Sequence, residues 1–177
     1  MSLNSLQQHV SRVKIEWEKF MQGEEVDRTV VSNVIKRSWV RSRAYGVDPD
    51  GPRLLSSTSE GDGTSEMSQL TSMNVNFAKL LSSDSSQYRI QLYDSAGFPL
   101  MNTRSNTQAL EKRIGTNSIW LALTQDRVTS VLGYEHYRST FHNTYGAAAP
   151  VHGLTGKVIG VVNVVCDDPG YCFSRKS

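Results

Sequence analysis

Long apolar runs are missing from this chain of 177 residues, which contains nothing near the roughly 18 uninterrupted apolar positions that a membrane-spanning helix requires. Met1-Ser2-Leu3-Asn4 does not begin a basic-then-apolar export signal, so a cytoplasmic location is expected. Cysteine is scarce too. With only Cys166 and Cys172, near the C-terminus, there is no disulfide framework of the secreted kind, and both are expected to be ordinary reduced thiols. A charge excess of either sign is also lacking. Nineteen Lys and Arg against 17 Asp and Glu leave +2, which gives no general attraction for nucleic acid or anionic membrane, and direct DNA binding would need a local patch.

Catalytic signatures are missing as well. No Gly-x-Ser-x-Gly elbow and no carboxylate pair with evident catalytic spacing occurs. Gly153-Leu154-Thr155-Gly156-Lys157 departs from the order of a phosphate loop and reads as a hairpin turn. His136, His142 and His152 lack the spacing of a metal site, so neither metal nor cofactor is expected.

What is present is patterning. Leu6, Val10, Val13, Trp17, Phe20 and Met21 recur at intervals of three and four, the stripe of an amphipathic helix, with Glu16, Glu18 and Lys19 off it. Gly23 interrupts, and Val26, Val30, Val31, Val34 and Ile35 begin a second helical stripe that runs to Trp39 and stops near Tyr45, before Gly46-Val47-Asp48-Pro49. The first helix has too few partners for Trp17 and Phe20 on its own chain if the core is built from later residues, which predicts a homodimer through the N-terminal helices; folding back onto its own sheet is the alternative.

A Ser-rich linker over 51–66 and a third helix carried by Met67, Leu70, Met73, Phe77, Leu80 and Leu81 follow. From Tyr88 the period changes to two: Tyr88, Ile90 and Leu92 alternate with Arg89, Gln91 and Tyr93, and Asp94-Ser95-Ala96-Gly97 turns the chain into a strand over Phe98 to Thr103. Thr116 to Thr124 reads as a short helix, and Val128 to Leu132, Tyr145 to Val151 and Val158 to Val165 as strands. The fold class is α+β, an antiparallel sheet flanked by helices with an N-terminal helical extension. The expected organisation is N-terminal helices over 1–50, linker over 51–66, core over 67–168 and tail over 169–177.

The densest motif is Gly115-Thr116-Asn117-Ser118-Ile119-Trp120, followed by Gly133-Tyr134-Glu135-His136-Tyr137 and Ala147-Ala148-Ala149-Pro150-Val151. Helix-opening amides at Thr116 and Asn117 suit an anionic or carbonyl ligand group, although Thr116 capping its own helix is an equal reading. Trp120, Tyr134, Tyr137, Phe141 and Tyr145 supply aromatic walls of the kind small-molecule pockets use, or simply core. Glu135 and His136 head the same loop, either to meet a ligand or to tie the loop to the strand ends.

Together with Ser38-Trp39, Arg41, Gly46-Val47-Asp48-Pro49 and Gly156-Lys157-Val158-Ile159-Gly160-Val161-Val162, this order resembles the GAF-type sensor domain at the front of sigma-54-dependent bacterial transcription activators, the acetoin catabolism regulator group in particular. The resemblance covers roughly 26–167. It implies a GAF/PAS-like fold, an unknown small-molecule ligand, no enzymatic activity, no direct nucleic acid contact by this part and no membrane. Full-length members add an ATPase module and a helix-turn-helix reader, neither of which lies in these 177 residues, so a fragment or a stand-alone sensor is expected. The family usually has a small residue where Trp120 stands, which keeps a dimerisation scaffold with a filled pocket as the alternative. A methionine sulfoxide reductase of the cysteine-dependent kind is the remote one, since Asp167 and Asp168 would raise rather than lower the thiol pKa of Cys166.

Overall fold

The computed structural model describes residues 3–51, 88–101 and 107–167. The linker from residue 52, the helix read over Met67 to Leu81, Thr103 and the tail over 169–177 lie outside the described residues.

Helix α1 (Leu3–Gln22) buries Leu6, Val13 and Phe20 completely or nearly so, with Trp17 half-buried beside them. The partners are on the same chain. Val13 and Phe20 pack in one cluster with Trp39, Leu121, Val131 and Tyr137, and Trp17 Nε1 donates to Tyr137 O at 3.1 Å. No second copy is needed to shield these side chains, which removes the premise from which a dimer was expected. Glu16, read as off the stripe, is also buried: its carboxylate accepts from Lys19 Nζ at 2.8 Å and from the Asp27 amide at 2.7 Å, which fixes the loop after α1.

Helix α2 (Asn33–Ala44) starts later than the valine spacing predicts. Asp27 folds its own loop by accepting from Thr29 N and Oγ1, and Ser32 then caps the helix through the Ile35 amide, so Val26 and Val31 reach the core from a turn. The helix ends at Tyr45 as expected, with Gly46 at positive φ.

Strands β1 (Arg89–Asp94), β2 (Pro99–Met101), β3 (Thr129–Leu132), β4 (Tyr145–His152) and β5 (Val158–Cys166) form a five-stranded antiparallel sheet in the order β2-β1-β5-β4-β3. The α+β class and the antiparallel sheet with flanking helices are as expected. Helix α4 (Ser118–Gln125), capped by Asn117 rather than Thr116, lies against β3, β4 and β5. Ahead of it stands a short helix, α3 (Glu111–Ile114), that the apolar spacing did not reveal.

One expectation fails outright. Cys166, at the end of β5, is disulfide-bonded rather than a free thiol. Reduced thiols were inferred from compartment and cysteine number, neither of which constrains geometry. No helix among the described residues is long and apolar enough to cross a membrane.

Candidate functional site

A cavity of about 100 Å³ opens between the start of α4 and one face of the sheet. Its floor comes from alternate positions of two paired strands. Arg89, Gln91 and Tyr93 of β1 face it, as do Asn163 and Val165 of β5, whereas Leu92 points to the opposite face and packs with Ile159. Asn117, Ser118 and Ile119 form one wall, and His136, Arg138 and Phe141 another. Gly146 of β4 lets α4 come close: a Cβ there would lie 2.8 Å from Ser118 Oγ.

The floor is a hydrogen-bonded chain of buried polar side chains. Ser118 Oγ donates to Asn163 Oδ1 at 2.9 Å, and Asn163 Nδ2 donates to Gln91 Oε1 at 2.8 Å. Tyr93 supplies a longer contact to the same oxygen, at 3.5 Å. This fixes Gln91 with its oxygen used and its amide nitrogen without a hydrogen-bond acceptor among the described residues. Such residual donor capacity in a buried floor is what a polar ligand group satisfies.

His136 offers the complementary group. Its Nδ1 lies 3.1 Å from Gly133 O, so that nitrogen carries the hydrogen and Nε2 is left as an acceptor. Burial, reinforced by the neighbouring His142, pushes its pKa down to about 4 and keeps the ring neutral; burial likewise takes His142 to about 4. Arg138 is buried beside them, donates to Gly51 O at 2.5 Å, and has its pKa lowered by desolvation against the opposing pull of Asp48.

The sign of the histidine shifts sets a pH dependence. Below the ordinary value of 6.5 the unfolded chain takes up protons that the folded chain refuses until about 4, so stability is expected to fall as pH drops through that window. For His136 alone the loss is on the order of 3 kcal/mol at the bottom of the window. Denaturant unfolding between neutral pH and about pH 4.5 measures it, with His136→Gln expected to flatten the curve. An unchanged slope in that variant would place the acid sensitivity elsewhere.

Of the nine residues expected at the ligand, three line the cavity: Asn117, His136 and Phe141. Asn117 spends its side chain on the cap, accepting from Trp120 N at 2.8 Å and donating to Ala109 O and Gly115 O. The other six are not among the cavity-lining residues. Thr116 sits behind the wall, 2.7 Å from Ser38 Oγ. Tyr137 belongs to the cluster under α1 and α2, and Tyr134 packs on Trp17 and His142. Tyr145 is buried on β4, opposite Cys166, and Trp120 is half-buried on α4. Glu135 ties the loop: its Oε2 accepts from Leu132 N at 2.8 Å, and its Oε1 lies 3.6 Å from His9 of α1. Gln91, Asn163 and Arg138 were missed. Asn163 had a signal, as the one polar side chain of the strand Val158–Cys166, whereas Gln91 stands in a strand that also carries Arg89 and Asp94.

Fold and site together define a class first: an α+β domain in which one helix closes a cavity with a polar floor over a five-stranded antiparallel sheet. Comparisons with known proteins agree with it. No protein-family model matches the chain. It is 27% identical over 173 residues to the acetoin dehydrogenase operon transcriptional activator AcoR of Bacillus subtilis (strain 168), covering 87% of this chain and 29% of that protein. It is also 29% identical over 158 residues to an uncharacterised 47.3 kDa protein in the thcA 5′ region of Rhodococcus erythropolis, covering 78% of this chain and 36% of that one. The chain thus spans about a third of the length of these curated relatives. Its fold matches a chain of the crystal structure of the E. coli DhaR(N)–DhaL complex with a TM-score of 0.63 at 15% identity, over 82% of this chain and 55% of that one. The resemblance to the sensor region of acetoin-regulator-type activators, read from the sequence, is borne out.

Proposed function

We propose that the chain is a small-molecule-sensing regulatory domain of a bacterial transcription activator, holding its ligand in the cavity between α4 and the sheet. The observation that carries this reading is the presence, in the lining of one cavity, of an uncommitted Gln91 amide donor in the floor and an uncommitted His136 acceptor in a wall. A volume of about 100 Å³ suits a molecule of roughly four to six non-hydrogen atoms. In this reading the domain catalyses nothing. Ligand occupancy favours one arrangement of the 133–142 loop, and the balance shifts only by the ligand's difference in affinity for the two states.

His9–Glu135 and Trp17–Tyr137 carry that arrangement to α1, and thence to the sigma-54-dependent ATPase and DNA-reading output of full-length family members in the cytoplasm. The exposed Ile15 on α1 leaves an outward edge for a second copy.

A thermal-shift screen with small polar metabolites tests the proposal, followed by calorimetry on any hit. Gln91→Glu retains the oxygen used by Asn163 and Tyr93 while removing the donor, and is expected to weaken binding about tenfold. Hits indifferent to Gln91 and His136, or a screen without hits, would leave a scaffold with an idle cavity.

A further inference from the structure

The outward face of α2 concentrates positive charge that the nearly balanced composition hides. Arg28, Lys36, Arg37 and Arg41 line a shallow groove on one side of the helix, together with Asn33 and Val40. Arg37 and Arg41 also line a second groove on the other side, with Arg127 from beyond α4. No Asp or Glu is among the described residues lining either groove, and α2 contains no acidic residue. Arg41 alone is committed inward, to Glu111, while Arg28, Arg37 and Arg127 are exposed. Among these cations stands an exposed aliphatic, Val40 at 51%, with half-buried Val34 on the same helix.

We infer that this face of α2 is a docking surface for an acidic protein segment, one that sets Asp or Glu side chains around an aliphatic contact on Val40. An apolar centre within an arginine-rich surround is the composition of a protein interface, in which charge steers the encounter and the desolvated centre holds it. Duplex DNA fits the face poorly. The backbone amides at the N-terminus of α2 are partly used by the Ser32 cap, and Val34 and Val40 offer nothing to phosphate.

The position also suits an output. From the inner side of the same helix Ser38 hydrogen-bonds Glu111 and lies 2.7 Å from Thr116, the residue preceding the cavity-lining Asn117 and Ser118, so one helix separates the docking face from the cavity wall.

The test uses the whole chain and two synthetic helical peptides of equal length, one Glu/Leu and one Gln/Leu, with a short DNA duplex as the competing class. The Glu/Leu peptide is expected to bind in fluorescence anisotropy and the Gln/Leu peptide to bind at least about tenfold more weakly. The double variant Arg37→Glu with Arg127→Glu should lose at least about tenfold in affinity, and Val40→Asn roughly threefold. Should the charge reversal fail to fold, Arg37→Gln with Arg127→Gln is expected to move binding in the same direction. Indifference to Val40, unchanged binding in the arginine variants, tighter binding to the duplex, or a dimer in sedimentation that the arginine variants dissolve would each overturn the assignment.

Discussion

Trp39→Ala is expected to lower the free energy of unfolding by about 3–5 kcal/mol. Trp39 is fully buried and sits where three parts of the chain meet. Its ring centroid is 5.4 Å from that of Phe20 on α1, and its Nε1 donates to Glu135 O at 2.7 Å on the loop bordering the cavity. Truncation removes the area, leaves a cavity among Val13, Ile35 and Tyr137, and strips the Glu135 carbonyl of a buried donor, so the transfer, cavity and desolvation costs add. Trp39→Phe keeps most of the volume and loses the hydrogen bond, and is expected to fall well short of the alanine loss. Chemical denaturation of both variants at neutral pH separates the two contributions. Equal losses would mean that the indole N–H, not the packing, holds the junction.

That junction explains which parts of the molecule were legible from residue order alone. The strands were, because Val158 to Val165 is an apolar run bounded by Gly153-Leu154-Thr155-Gly156, and the structure sets β5 there with Gly156 at positive φ. The first stripe was legible as a helix, but not its partner, since a three-and-four spacing states which side chains share a face and nothing about what covers it. Val26, Val30 and Val31 continued the stripe on paper; the Asp27 turn and the Ser32 cap, local hydrogen bonds competing with helix, decide otherwise. Four-residue α3 is too short to show a period at all.

The cavity was half legible for a related reason. Asn117, His136 and Phe141 lie in segments whose motif order pointed to a site, yet aromatic identity did not separate Phe141, which lines the cavity, from Tyr137, which fills the core under α1. Its floor depends on Asn163 meeting Gln91 across 72 positions of chain, and on Ser118 closing over them. Only strand register brings such residues together. Until the register is known, a polar residue inside a strand is indistinguishable from one that faces water.

Gly115→Ala is expected to cost roughly 2–5 kcal/mol and to disturb the cavity wall at the same time. Gly115 has φ 75° and ψ −162°, a region that residues with a Cβ essentially never occupy. Space is short as well: a Cβ would lie 2.9 Å from Tyr137 Cβ and 3.2 Å from its Cδ1, and Tyr137 is itself held in the core. The residue is also wired into the cap, its amide donating to Glu111 O and its carbonyl accepting from Asn117 Nδ2, both at 2.8 Å. Relief of the clash therefore moves Asn117 and, with it, the first turn of α4 that places Ser118 against Asn163. Gly156→Ala is the control, because φ there is 78° yet nothing stands within 4 Å, so only the backbone penalty of about 1–2 kcal/mol applies. Denaturation of the two variants should separate them by the overlap with Tyr137 together with the harsher torsions of Gly115, and any ligand found for the cavity should bind Gly115→Ala more weakly while binding Gly156→Ala normally. Equal destabilisation of both would show that Tyr137 yields freely, and that Gly115 is required for its torsions alone.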